Sequence, residues 1–302
     1  MKKRASRLHR RGVQYTYKLH DKVFSNRKAR SLHSSNRPSL DSTQLDVVRE
    51  LDAHGFAVVP VEKILAPEAW SAVQGEAQGF VDETTAGVES GDEGLRRREG
   101  KEFLVRKYDR GGQVALDNPW LSACVSRRML DVASEYLQLW PKLEYLDLWY
   151  SLPVGEGADR KASQIWHRDF DDSHLLKAFL YLVDVDQSTG PFEYVPGSQP
   201  GGKYASVHPW EPMIVGRISE EEMAKHVPDG SVKTFTGTRG TMIFCNTSGL
   251  HRGGFVESKP RVLATVTYCS PASLASLTDR NYALPPGTSL SGLDPVVRYA
   301  LS

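Results

Sequence analysis

Three side chains have the types and spacing of a metal site with open coordination positions. His167 and Asp169 form a His-x-Asp pair, and in an extended strand residues two apart point to the same side, so both can bind one ion. A third ligand is offered by His251, in a glycine-flanked turn after the apolar segment Thr241–Cys245. Two histidines and one carboxylate on one face of an ion leave positions for other ligands, as in non-haem Fe(II) oxygenases. The three residues therefore predict a ferrous site that uses dioxygen.

A buried cation is expected beside this site. Arg261 follows His251 by ten residues and precedes the strand-like segment Val262–Cys269. If it points inward, its guanidinium can bind the distal carboxylate of a dicarboxylic acid through two parallel hydrogen bonds. An arginine inside a barrel is unfavourable without an anion. Arg261 therefore predicts an anionic co-substrate near the metal.

The order and context of these residues resemble the phytanoyl-CoA dioxygenase-like (PhyH) family of Fe(II)/2-oxoglutarate-dependent oxygenases. The resemblance covers about residues 45–270 and is carried by the segments Leu51–Val59, Gln164–Asp169 and Thr189–Ser198 together with His251 and Arg261. A single His-x-Asp pair occurs often by chance, whereas the ordered set with this spacing is specific.

The resemblance implies a set of roles. His167, Asp169 and His251 would hold Fe(II), which makes them the catalytic metal ligands. Arg261 would anchor the C5 carboxylate of 2-oxoglutarate, and Gln164 would hydrogen-bond the same co-substrate. The implied reaction consumes O2 and 2-oxoglutarate, hydroxylates an unactivated C–H bond of a small molecule, and releases succinate and CO2. Desaturation, epoxidation and cyclisation stay open, and so does the identity of the substrate.

One position departs from the family pattern. Several members have a hydroxyl residue two positions after the distal histidine, where this chain has Gly253. Another residue must then supply that contact to 2-oxoglutarate, and Tyr150, Thr247 and Lys177 are the candidates.

The elements that must position these residues are helical at first and strand-like later. Helices are predicted at Ser42–Gly55, from Pro67 to about Phe80 and from Pro119 to about Leu139, and Glu83–Gly100 is predicted to be a mobile surface loop. Strands are predicted at Phe56–Val59, Leu143–Tyr150, Gln164–His167, Leu175–Val185, Val232–Phe235, Thr241–Cys245 and Val262–Cys269. This order predicts an α+β fold: a double-stranded β-helix (jelly roll, cupin-like) at about 143–270, with N-terminal helices packed on the sheet.

The charge distribution divides the chain at about residue 40. Residues 1–40 contain twelve Lys and Arg and one acid, Asp21, so this basic N-terminal arm carries +11 in a chain of net charge +1. The dioxygenase domain is predicted at 41–302. The arm has the charge to contact nucleic acid or an anionic membrane surface, but charge runs are more often solvated tails or helices packed on an acidic body. We favour the second interpretation.

Composition excludes several classes of protein. With 302 residues, 40% hydrophobic and 25% charged, the chain is of globular type and has no apolar run of about 18 residues that would span a membrane. Three separated cysteines without a Cys-x-x-Cys pair predict a reducing, cytoplasmic compartment.

Asp171 and Asp172 are expected to be solvated loop acids. The alternatives that stay open are a catalytically silent jelly-roll binding module and an oxygenase that acts on nucleic acid through the basic arm.

Overall fold

The order of the elements is the one that the sequence predicts: the first part of the chain is mainly helical and the second part is mainly β. The computed structural model describes residues 17, 25–92, 94–98, 100–108, 112–155, 158–212, 214–273 and 281–302. Its α-helices are α1 (Arg27–Ser35), α2 (Ser42–His54), α3 (Pro67–Ser90), α4 (Pro119–Cys124), α5 (Arg127–Leu137), α6 (Glu220–Ala224) and α7 (Pro295–Leu301). Its strands are β1 (Phe56–Pro60), β2 (Arg97–Arg98), β3 (Lys101–Arg106), β4 (Gly112–Gln113), β5 (Lys142–Ser151), β6 (His167–Arg168), β7 (Leu176–Tyr181), β8 (Phe192–Tyr194), β9 (Gly216–Arg217), β10 (Lys233–Phe235), β11 (Thr241–Cys245), β12 (His251–Arg252), β13 (Arg261–Cys269) and β14 (Tyr282–Ala283).

Two antiparallel sheets face each other and form the jelly roll. The large sheet has the strand order β1-β11-β7-β13-β5-β3-β2, and the small sheet has the order β10-β8-β12-β6-β9. Strands β4 and β14 pair in parallel as a separate ribbon. The predicted α+β jelly roll with helices packed on a sheet is confirmed.

Alternation along the central strands gives the large sheet two different faces. On β13, Val262, Ala264 and Val266 belong to the core shared with the helices, whereas Leu263 packs with aromatic side chains between the two sheets. Because successive side chains in a strand point to opposite faces, Arg261 is directed to the same side as Leu263. The helices α2, α3, α5 and α7 all contact the large sheet, and they shield its outer face from water.

Helix α3 is longer than the sequence pattern indicates. The expected mobile loop at Glu83–Gly100 is wrong for its first part, because α3 continues to Ser90 and ends at Gly91 in the left-handed conformation. The buried side chains of α3 keep helical spacing past the predicted end: Trp70, Val73, Ala77, Phe80 and Thr84. The acidic residues of this stretch lie on the exposed face of α3, and for this reason its composition resembles that of a loop.

Two other elements differ from prediction. The single helix expected from Pro119 to Leu139 is two helices, because α4 ends at Cys124 and α5 begins only after Ser126. The strand expected at Gln164–His167 is a short 3-10 turn, Ala162–Gln164, followed by the two-residue strand β6. In that turn the Gln164 side chain accepts a hydrogen bond from the backbone N–H of Lys161 at 3.0 Å.

The described part of the basic arm lies against the body. Helix α1 buries His33, whose ring lies 3.3 Å from the carboxylate of Glu135, and Arg37 pairs with the same carboxylate. The basic residues at the head of the arm lie outside the described residues: Lys2, Lys3, Arg4, Arg7, Arg10 and Arg11. The division at residue 40 stays a prediction. No described helix is both long enough and apolar enough to cross a membrane.

Candidate metal centre

The two histidines of the predicted site are cross-strand neighbours. His167 on β6 is paired directly with His251 on β12, and their ring centroids lie 4.2 Å apart. His167 and His251 are 7% and 4% exposed. Antiparallel pairing in the small sheet therefore brings together two residues that are 84 positions apart in the chain.

Asp169 completes the cluster just after the end of β6. Its carboxylate oxygens lie 3.7 Å from Nε2 of His167 and 3.8 Å from Nε2 of His251. Potential ligand atoms of the three residues all lie within 4.8 Å of one another. The backbone N–H of Asp169 donates to the carbonyl of Thr247 at 2.9 Å, and Nε1 of Trp210 donates to the Asp169 carbonyl at 2.8 Å. The position of Asp169 is thus fixed from two sides.

Both imidazoles are held in the form that binds a metal. Nδ1 of His167 lies 2.8 Å from the carbonyl of Ile165, and Nδ1 of His251 lies 3.0 Å from that of Gly249. A proton on each Nδ1 leaves the Nε2 lone pair directed toward Asp169. Burial lowers the pKa of His167 to about 4. Burial and the neighbouring His167 lower the pKa of His251 to about 3, so both rings are neutral at physiological pH.

A lysine neutralises the carboxylate of the cluster. Lys177 on β7 donates to Asp169 at 2.5 Å. Burial by itself would raise the pKa of Asp169, but the charge of Lys177 and the two imidazoles hold it well below its usual range. Asp169 is therefore ionised, which is the form that a divalent cation requires.

Arg168 lies between the first two ligands in the sequence. Its side chain points away from them and holds the surrounding loops together through hydrogen bonds. The residue is 1% exposed. Its guanidinium donates to the backbone carbonyls of Ser198 and Ser248 at 2.6 Å each, and further bonds reach Tyr204, Val207 and His208. Ser248 precedes His251 by three residues. Arg168 thus connects the segment of the first two ligands to the segment of the third.

The three candidate ligands line a cavity of about 570 Å³ between the sheets. Arg261 lines the same cavity, as do the aromatic residues Trp149 and Phe170. Arg261 is only 6% exposed, and burial lowers the pKa of its guanidinium. The structure therefore brings together His167, Asp169, His251 and Arg261, the four residues that the sequence singles out most strongly.

The surroundings of Arg261 fit a carboxylate ligand. Its Nη1 donates to the carbonyl of Gly190, but its Nε has no hydrogen-bond partner among the described residues. Ser151, its direct partner across β5 and β13, has a buried hydroxyl that is also unpartnered within the described chain. A Cβ atom at Gly253 would lie 3.8 Å from Nη2 of Arg261. The hydroxyl that is missing at position 253 thus has a counterpart in Ser151 on the neighbouring strand.

Sequence reasoning missed Ser151, although a signal was present. Tyr145, Trp149 and Ser151 share the inward phase of β5, and all three line the cavity. Tyr150, which the sequence suggests for this contact, is in the opposite phase of β5, and its hydroxyl lies 3.3 Å from that of Thr85 on helix α3.

The other sequence candidates for co-substrate contacts are placed differently. Lys177 lines the cavity but is bonded to Asp169. Thr247 has a buried hydroxyl without a partner in the described residues, and it is not part of the cavity lining. Gln164 is 2% exposed and also lies outside that lining, so its contact with 2-oxoglutarate stays a prediction.

The expectation of two solvated acids after Asp169 is wrong. Asp172 is 1% exposed. It accepts hydrogen bonds from the hydroxyls of Tyr17 and Ser270, both at 2.6 Å. Asp171 lines the cavity instead, where burial and the charge of Asp169 raise its pKa to about 6. The chain folds back over this loop, which the local composition does not reveal.

Comparisons with known proteins identify the family of the sequence and similar folds. The sequence matches the family model described as phytanoyl-CoA dioxygenase (PhyH) over residues 51–261. The structure is similar to that of EctD from S. alaskensis with 2-oxoglutarate and 5-hydroxyectoine, with 18% identity, a TM-score of 0.51 and coverage of 76% of each chain. The apoform of EctD gives 18% identity and a TM-score of 0.50, with coverage of 76% of this chain and 77% of that one.

A further similar structure is the epimerase SnoN in complex with Fe3+, alpha ketoglutarate and nogalamycin RO. It shares 18% identity at a TM-score of 0.49, with coverage of 84% of this chain and 94% of that one. The search of curated protein sequences returns no match. At these identities the structural similarities show the fold alone.

Proposed function

We propose that this chain, which belongs to the phytanoyl-CoA dioxygenase (PhyH) family, uses Fe(II) and 2-oxoglutarate to hydroxylate an unactivated C–H bond of a small molecule, with release of succinate and CO2. It is an oxidoreductase of the dioxygenase class by family membership.

One observation carries the proposal. The Nε2 atoms of His167 and His251 and the carboxylate of Asp169 converge in the cavity that also contains the guanidinium of Arg261. A metal-binding face and a buried anion site in one cavity are what a ferrous ion and a keto-diacid need together. The similar structure of EctD was determined with 2-oxoglutarate and 5-hydroxyectoine, so a fold of this kind has room for the co-substrate and a small molecule.

The residues of this chain have distinct roles in the proposed reaction. A bound ferrous ion with 2-oxoglutarate supplies the activation of dioxygen that C–H oxidation requires. His167, Asp169 and His251 would hold the ferrous ion, and a set of three protein ligands would leave coordination positions for the co-substrate and dioxygen. Arg261 and Ser151 hold the C5 carboxylate, which fixes the orientation of the co-substrate. Apolar side chains of the cavity exclude water from this region: Phe179, Phe192 and Leu263.

The binding experiment is an anaerobic titration of the full chain with Fe(II) and 2-oxoglutarate. The proposal predicts a visible metal-to-ligand charge-transfer band that disappears in His167→Ala. The matched control is His226→Ala, because His226 is exposed, follows the end of helix α6 and contacts Glu222 of that helix. A folded wild-type protein without the band would contradict the metal site and favour the catalytically silent module.

The turnover experiment measures succinate formed in air with candidate small molecules. A compound that stimulates succinate formation and is itself recovered with one added oxygen atom would support hydroxylation. Recovery of a desaturated or cyclised compound would contradict hydroxylation but would still agree with membership of the PhyH family. The only support for nucleic acid as the substrate is the charge of the basic arm, since most of this arm lies outside the described residues. The cytoplasmic compartment stays a prediction.

A further inference from the structure

The cavity has a second polar wall, away from the Arg261 end. Thr267 lines it and lies six residues beyond Arg261 on β13, about 20 Å along an extended strand. Its cross-strand neighbours are Lys177 on β7 and Tyr145 on β5, and both also line the cavity. Three adjacent strands thus present a row of polar side chains at a distance from the proposed co-substrate position.

Asp171 supplies a carboxylate to this end of the cavity. Among the described residues its side chain accepts a hydrogen bond only from its own backbone N–H, although the charge of Lys177 also acts on it. The adjacent Asp172 is fully engaged by Tyr17 and Ser270, and the ammonium of Lys177 is bonded to Asp169. Asp171 is therefore the acid of this loop that remains available to a ligand.

The hydroxyl of Thr267 is a second, independent feature of the wall. The residue is 3% exposed and faces the cavity, and its hydroxyl makes no hydrogen bond within the described residues. A hydroxyl that opens onto the cavity can donate a hydrogen bond to a ligand or accept one from it. Thr267 and Asp171 thus offer oxygen acceptors to the same space.

We propose that this wall, formed by Asp171 and Thr267, binds a protonated amine of the substrate. An ammonium group has three donors and no acceptor, which matches a carboxylate and a hydroxyl oxygen, and charge-assisted hydrogen bonds of this kind are stronger than neutral ones. The inference rests on the proposed function and deepens it, because it assigns the substrate to the amine-bearing small molecules.

The placement also limits which C–H bond is oxidised. Asp171 follows Asp169 by two residues, so their Cα atoms are at most about 7 Å apart. An amine held at Asp171 therefore keeps its neighbouring carbons close to the metal ligands. The oxidised carbon is expected within a few bonds of the nitrogen.

The test compares two probes of similar size, cyclohexylammonium and cyclohexanol. Each is titrated into the anaerobic complex of the full chain with Fe(II) and 2-oxoglutarate, and binding is followed as a perturbation of the charge-transfer band. The wild type is expected to bind cyclohexylammonium at least about tenfold more tightly than cyclohexanol. Asp171→Asn should abolish this preference while keeping the band, and Thr267→Val should reduce it several-fold.

A matched control is Arg217→Gln. Arg217 is an exposed cation that lines the same cavity, so its removal should leave cyclohexylammonium affinity unchanged or slightly higher. Equal binding of the two probes, binding of neither, or a preference that survives Asp171→Asn would overturn the inference. The comparison of the two probes on the wild-type protein tests the inference even if a variant fails to fold. Absence of the band in wild type would instead count against the proposed function itself.

Discussion

At the two histidine ligands, the backbone selects the nitrogen atom that faces the cavity. His167 and His251 each bond through Nδ1 to the carbonyl two residues earlier, Ile165 and Gly249. The same local arrangement therefore occurs on both strands. It orients each Nε2 before any metal binds, so little reorganisation of the rings is required on metal binding.

Ser151→Ala tests the proposed carboxylate site. Loss of one hydrogen bond to a charged group should weaken 2-oxoglutarate binding about tenfold or more, with Fe(II) affinity unchanged. Titration of 2-oxoglutarate into the Fe(II) protein under anaerobic conditions measures the change. Thr247→Val is the control, since its hydroxyl is buried but outside the cavity lining. If both variants bind 2-oxoglutarate as the wild type does, Ser151 has no part in the site.

Arg168→Met tests the connection between the ligand segments. The variant leaves several buried carbonyls without a donor, so the free energy of unfolding should fall by about 3 kcal/mol or more. Urea denaturation measures the loss. Arg49→Met is the comparison, because Arg49 is exposed and pairs only with Asp46 among the described residues, and it should change stability by less than about 0.5 kcal/mol. Equal stability of the two variants would argue against the role of Arg168.

The sequence predicts the strongly constrained part of the site and misses the part that depends on tertiary contacts. His167 and Asp169 are recognisable because their two-residue spacing already implies one face of a strand. Ser151 becomes significant only when β5 lies beside Arg261. Asp172 has the composition of a loop acid, and only its contact with Tyr17, 155 residues away, shows that it is buried.

Among the elements, those with a clear pattern were predictable and those whose ends depend on packing were not. Strand β11 has the predicted bounds, Thr241–Cys245, because its apolar run is bounded by polar or turn residues on both sides. Helix α3 exceeded the prediction because Thr84, a polar residue, continues its buried face. If only apolar residues are considered, the helical pattern of buried positions in α3 ends at Phe80.

Glycine substitutions in α3 test how this helix packs along its length. Gly75 and Gly79 are exposed, and a Cβ at either meets nothing within 4 Å, so Gly75→Ala and Gly79→Ala should each raise the free energy of unfolding by about 0.5–1 kcal/mol. Gly87→Ala is the internal control. Its Cβ would lie 2.8 Å from Cδ2 of Leu95, so the gain should be reduced or reversed. Denaturant unfolding distinguishes these results, and a full gain at Gly87 would contradict the packing of the last turns of α3.

The N-terminal part of the chain reaches the surroundings of the metal centre. Tyr17 is 7% exposed, and its ring lies 5.2 Å from that of Trp210. Trp210 in turn bonds the carbonyl of Asp169. A residue of the basic arm thus supports the loop that carries a proposed ligand, which charge and composition alone do not reveal.

Tyr17→Phe tests this long-range contact in the full chain. The hydroxyl of Tyr17 donates to Asp172, and its removal leaves a buried carboxylate with one donor fewer, so the free energy of unfolding should fall by about 1–3 kcal/mol. Fe(II) affinity should also fall, because the loop after Asp169 loses a point of attachment. Tyr299→Phe is the matched control: Tyr299 is partly buried and contacts Trp140 through its ring, and its hydroxyl donates to no described residue. If Tyr17→Phe leaves both stability and Fe(II) affinity at the level of Tyr299→Phe, the arm does not support the metal centre, and its charge must serve some other purpose.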